Sequence, residues 1–161
     1  MEVYPNLFVG GDETYEKVKG KEGWSFVRAC KFGPDGHKDI LGYRTQGAPK
    51  GKDYYSTRKG KILALNLIDS DDPNFIPEQV INDALNFIQE RLQAGDKVLV
   101  ACNQGRSRGP TIAMLYLDKI KDLPEHYHQG FKIFKGIYHK YDPGLGIEHF
   151  AKTHWASLRK G

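Results

Sequence analysis

Apolar positions along this 161-residue chain recur in two periods. Short apolar runs at 3–9, 24–29, 62–68 and 97–101 read as strands. The first carries a proline, which places it at a sheet edge. Longer stretches show the 3.6-residue period of helices. Ile81, Ala84, Leu85, Ile88 and Leu92 form one stripe. Pro77 opens that helix at its first position, where a missing N–H costs nothing, and Gly95 stops it. A helix follows over about 108–121. Tyr127, Phe131, Phe134 and Tyr138 stripe another after Pro124. Asp142, Pro143 and Gly144 break it, and Ile147, Phe150, Ala151, His154, Trp155 and Leu158 stripe a last one. Both aromatic stripes read as core. Residues 13–18 suggest a short helix, and 33–60, poor in branched aliphatics, a loop. The order predicts an α/β fold: a central mixed sheet of four to five strands flanked by helices on both faces. It forms one domain over 1–161, with a basic loop insertion at about 33–60.

Composition adds limits. The length suits one domain with a real core. The net charge of +4 favours an anionic ligand but is too small to indicate nucleic acid by itself. Ten of the 18 glycines fall between Gly10 and Gly60, which marks the front third as loop-rich. No apolar leader and no run of membrane-spanning length is present. Two cysteines without a leader point to a reducing, cytoplasmic setting.

The chemistry concentrates at 101–108, where Ala101, Cys102, Asn103, Gln104, Gly105, Arg106, Ser107 and Arg108 join a strand to a helix. A loop that opens a helix points several N–H groups at one spot, and the helix dipole adds partial positive charge there. Such a nest binds an oxyanion. Arg108 adds a fork that fits phosphate oxygens, and the same field favours a thiolate at Cys102. A thiolate that displaces a phosphate ester also needs an acid for the leaving oxygen and a base for water. Asp69, Asp71 and Asp72 follow the apolar run at 62–68, where an adjacent strand end brings them to the loop.

With the strand before it, the helix behind it and an upstream aspartate, this segment resembles the Cys-x5-Arg signature of the cysteine-based protein phosphatases, especially the dual-specificity group. The likeness spans 1–32 and 61–138: an entry strand at 3–10, an acid-bearing strand at 65–69, and helices at 80–88 and 110–117. It implies that Cys102 forms a cysteinyl-phosphate, that residues 103–108 hold the phosphoryl oxygens, and that an aspartate protonates the leaving group. Asp69 matches best from the strand, gapless counting from Cys102 selects Asp71, and Asp72 stays open. Neither metal nor cofactor is implied. Three positions depart from the family. Ala101 stands where a loop-ordering histidine is usual. Gly109 replaces the serine or threonine whose hydroxyl helps the thiolate leave. Arg106 replaces an apolar or small residue; relatives that act on phosphoinositides and inositol phosphates carry a cation there.

The expected substrate is thus a phosphorylated protein, with inositol phosphates, phosphoinositides or an RNA 5′ end as alternatives. A phosphate-binding protein with little turnover is the alternative of another class. Cys30 is expected as a packed thiol, or by the resemblance as a redox partner of Cys102. Lys38, Arg44, Lys50, Lys52, Arg58 and Lys59 make 33–60 either a solvated loop or a cationic lid. The histidines show no metal-binding spacing.

Overall fold

The structure is a computed structural model that describes residues 1–160. Six strands form one sheet in the order β1-β2-β6-β3-β5-β4: β1 Glu2–Tyr4, β2 Leu7–Gly10, β3 Trp24–Arg28, β4 Ser56–Lys59, β5 Ile62–Leu65 and β6 Lys97–Ala101. β2, β6, β3 and β5 run parallel, and β1 and β4 cap the two edges antiparallel. The mixed α/β sheet agrees with the expectation, but the strand count does not. Both extra strands come from hairpins. Within the run 3–9, Pro5 and Asn6 turn the chain, with Asn6 at φ +66°, and Leu7 pairs back on Tyr4. Within 33–60, Thr57 and Arg58 pair with Ala64 and Leu63. That segment is therefore not all loop; it also holds α2, His37–Leu41.

Alternation along the central strands divides the core. In β6, Val98 and Val100, together with Cys102 beyond its end, face the large cluster, whereas Leu99 and Ala101 face the small one. Five-residue β3 behaves likewise, with Val27 on one side and Phe26 on the other. The large cluster packs under α3 Glu78–Gln93, α4 Arg108–Lys119, α5 Tyr127–Ile137 and α6 Leu145–His154. The small one lies under Tyr15 of α1, Asp12–Val18. Pro77 sits one residue earlier than expected, outside α3, because its ψ of 140° is still extended. β5 stops three residues short of the expected run, since the Leu67 carbonyl accepts from the backbone of Lys31 and from the Arg108 side chain instead. No helix among the described residues is long and apolar enough to cross a membrane.

Parallel strands bring their carboxyl ends to one edge. That edge gathers the segments after β2, β3, β5 and β6: Gly10-Gly11-Asp12, Cys30–Pro34, Leu67–Asp72 and Cys102–Arg108.

Candidate active site

A cavity of about 270 Å³ opens at this edge, lined by Asp69, Cys102, Asn103, Gln104, Arg106, Ser107 and Arg108. Cys102 is only 2% exposed, so its thiol is reached through the cavity. The loop's carbonyls, that of Gln104 apart, are held by partners outside the cavity. Asn103 O accepts from the Asp12 amide, Gly105 O from the Tyr138 hydroxyl at 2.6 Å, and Arg106 O from the Asp142 amide. Ser107 O accepts from the amide and the hydroxyl of Thr111. The amides of 103–107, by contrast, find no protein acceptor among the described residues. A loop with four of its five carbonyls bonded away and its amide donors unspent is an anion nest.

Gly105 makes this turn possible. It sits at φ +73°, and a Cβ there would lie 2.8 Å from the Gly10 carbonyl carbon. It packs on Gly10-Gly11 rather than lining the cavity, so it shapes the nest from behind.

Arg108 donates from one terminal nitrogen to Leu67 O at 3.1 Å and from the other to Asn103 Oδ1 at 2.9 Å. Its Nε is buried with no partner. An unpaired buried donor costs about 1–3 kcal/mol, which an anion seated in the nest would offset.

Of the three aspartates, Asp69 lines the cavity. Its Oδ1 accepts from the Ser107 hydroxyl at 3.1 Å, and Ser107 Oγ in turn accepts from the Gly144 amide at 2.8 Å. Asp72 is turned to its own backbone, where it caps the 3-10 turn Pro73–Phe75 through Asn74 N. Asp71 is exposed and outside the cavity wall. Arg106 is exposed and lines the cavity without an ion-pair partner among the described residues.

Sequence reading missed the buttress at 138–146. Tyr138, Asp142 and Gly144 all bond the loop, and a Cβ on Gly144 would lie 2.6 Å from Asp69 Oδ1. The run Asp142-Pro143-Gly144 is a helix break by sequence, but the same two-sided closeness is what a glycine there allows. Also missed was buried Arg28, which bonds Asp12 and the Ala101 carbonyl.

The hydroxyl of Thr111 is taken up by Ser107 O and by Tyr141 at 2.7 Å. Gly109 lies against Cys102, with a Cβ there 3.5 Å from the sulfur. Cys30 is a buried free thiol, pushed up to about 11 by burial. No cation of 33–60 lines the cavity. Arg58 instead pairs with Glu90, Lys38 bonds Thr45 O, and Lys50 lies over the Tyr54 ring.

No family model matches the chain. A stretch of 58 residues is 38% identical to the dual specificity protein phosphatase PHS1 of Arabidopsis thaliana; it covers 36% of this chain and 6% of that protein. Solved structures match nearly end to end. DUSP15 superposes with a TM-score of 0.65 at 18% identity over 99% of this chain and 90% of its own. The PTP-2 phosphatase of Cydia pomonella gives 0.67 at 18% over 94% and 87%. The human tyrosine phosphatase-like serine/threonine/tyrosine-interacting protein gives 0.62 at 19% over 95% and 93%. The chain has the dual-specificity phosphatase fold.

Proposed function

We propose that the protein hydrolyses phosphate monoesters through a cysteinyl-phosphate and that its substrates are phosphorylated proteins of the cytoplasm. One observation carries this reading: the Cys102 thiol stands in a nest of unspent amides beside an unpartnered buried Arg108 Nε. The likeness to dual-specificity phosphatases in fold, and over the matched stretch in sequence, supports the same chemistry.

In this reading the phosphoryl oxygens lie on the amides of 103–107 and on Arg108, donors that gain as charge develops. The Cys102 thiolate attacks phosphorus, the P–O ester bond breaks, and protonated Asp69 gives its proton to the leaving oxygen. A water then attacks phosphorus while the Asp69 carboxylate takes its proton. The S–P bond breaks, and inorganic phosphate and the thiolate are released. Asp69 is preferred over Asp71 and Asp72 because it alone of the three lines the cavity.

The test is a substrate panel run in parallel with wild type and Cys102→Ser: p-nitrophenyl phosphate, phosphopeptides, inositol phosphates and 5′-phosphorylated RNA. Wild type should turn over the aryl phosphate and phosphopeptides. The variant should lose about 10³-fold or more in kcat and keep ligand binding. Hydrolysis retained by Cys102→Ser would overturn the nucleophile assignment.

A second reading, phosphate binding with slow turnover, draws on Gly109 and the committed Thr111 hydroxyl. It expects a burst of one product equivalent, then slow release.

A further inference from the structure

One of the two fully buried charges among the described residues, Arg28 at the end of β3, lies outside the cavity, while the other, Asp118, belongs to α4. A buried guanidinium is costly unless paired, and a buried ionic network replaced as a whole by apolar residues is often neutral or stabilising, so stability alone does not account for this one. We propose that Arg28 is a positioning residue that sets Arg108 through Asp12 and Asn103. The inference rests on the phosphatase reading above.

The Arg28 fork spends its donors on three separate segments. Nε donates to Pro34 O at 2.9 Å, one terminal nitrogen to Ala101 O at 3.3 Å, and the other to Asp12 Oδ1 at 2.5 Å. Its plane lies 4.3 Å over the Tyr15 ring, and the Tyr15 hydroxyl is fixed by Asp35. Ala101 immediately precedes the nucleophile, and Asp12 opens α1. Arg28 thus ties together the residues that flank the loop at its entry.

Asp12 passes the constraint on. Asn103 Nδ2 donates to Asp12 Oδ2 at 3.2 Å and to Phe32 O at 3.1 Å. Both partners are acceptors only, so the amide nitrogen must face them and Oδ1 must face the other way. There it accepts from Arg108 at 2.9 Å. With Leu67 O on the other terminal nitrogen, the rigid guanidinium of Arg108 has one orientation, which leaves Nε for the anion. Without Arg28, the carboxylate of Asp12, about one-third exposed, would turn to water. The Asn103 amide would then be free to flip and present donors to a donor.

The experiment uses Arg28→Met, which keeps length and removes the charge. Misplacement of a reacting group by about 1 Å costs up to ~10²-fold. The expected result is a 10- to 100-fold loss of kcat/KM on p-nitrophenyl phosphate and a roughly tenfold weaker inhibition by inorganic phosphate in the folded variant, at a lower melting temperature because three acceptors lose their donor. A double-mutant cycle with Asn103→Ala should be strongly non-additive, because both substitutions cut one chain. A folded Arg28→Met within twofold of wild type, or an additive cycle, overturns the proposal. If Arg28→Met does not fold, Asp12→Asn reads the same link from the more exposed side, and unchanged kinetics there overturn it equally. If wild type hydrolyses nothing, calorimetric binding of inorganic phosphate is the readout. Weakening by about tenfold in Arg28→Met then supports the positioning role while the phosphatase reading fails, and equal binding overturns the role. A wild type that does not bind phosphate overturns both.

Discussion

The two ends of the parallel strands each carry a buried polar network, and the networks are finished differently. At the amino ends, Asp96 before β6 accepts from Ser25 of β3 and, at 3.0 and 2.7 Å, from two nitrogens of Arg91 in α3. Lys61 before β5 adds a contact at 3.5 Å. At the carboxyl ends, Arg28, Asp12, Asn103 and Arg108 form a chain of similar reach. The first network closes on itself. The second stops at Arg108, with Nε buried and unpaired and the loop amides unspent. A closed network stabilises; one left open at one point holds binding capacity at a cost in stability. The difference ties the amino end to the fold and leaves the carboxyl end with the donors that the proposed function uses.

The largest expected effect breaks the closed end. Asp96→Ala leaves the buried Ser25 hydroxyl and the mostly buried Arg91 without their acceptor. The loss should be about 2–4 kcal/mol of stability in denaturant unfolding. Lys61 is half exposed and contributes little of it. Folded Asp96→Ala should keep wild-type kcat on p-nitrophenyl phosphate. A change in kcat of more than about threefold would show that the two ends are not separable in function.

A smaller effect probes the open end alone. Gly144→Ala puts a methyl group 2.6 Å from Asp69 Oδ1, so the carboxyl must move. The cost to kcat/KM, which stops at departure of the leaving group and so leaves out the later water step, should be about tenfold on alkyl phosphates, whose leaving oxygen needs a proton. It should nearly vanish on aryl phosphates whose leaving group is stable as an anion. Equal losses on both would remove Asp69 from the acid role and return Asp71 and Asp72 to consideration.

The Cys102 loop was legible in the sequence because its parts are contiguous. Cys102, the nest and Arg108 lie in one strand–loop–helix unit, whose apolar periods flank it on both sides. The helices of the large face were legible for the same local reason. What was not legible was set by pairing between distant segments. The edge strand β4 is short and polar, and it exists because Thr57 and Arg58 find Ala64 and Leu63 across a turn. Arg28 sits in an apolar run that reads as an ordinary strand; its role depends on Asp12 and Asn103, which lie 16 and 75 positions away in sequence. Gly144 signalled a helix break but not its closeness to Asp69. Which of the three aspartates lines the cavity was likewise not legible, because it depends on how the chain after β5 turns.

Acid should separate the two ends by the pH at which each loosens. His37 of α2 is fully buried and holds the segment above the carboxyl end. Its Nε2 must donate to Asp53 O at 2.7 Å, so its Nδ1 accepts from the Tyr43 hydroxyl at 2.9 Å. Burial lowers its pKa below the ordinary 6.5; Lys31 adds to this, and the Asp53 carbonyl and carboxylate oppose it. The unfolded state therefore binds the proton more readily. The stabilisation from His37 is fully present above about pH 6.5 and is lost as pH falls from there towards the lowered folded-state value. Asp96 behaves differently. Burial works against its charge, but hydrogen bonds from Ser25 and Arg91 and the charges of Arg91 and Lys61 outweigh this and hold its carboxyl below the usual range. Its contribution is present above about pH 4 and is lost only as pH falls further. Hydrogen exchange followed from pH 7.5 to 5 should show amides of 37–55 losing protection first, while those of β6 near Asp96 hold. In His37→Gln the early loss should disappear. Protection that falls together at both ends, or an early loss that persists in His37→Gln, would place the acid-sensitive group elsewhere.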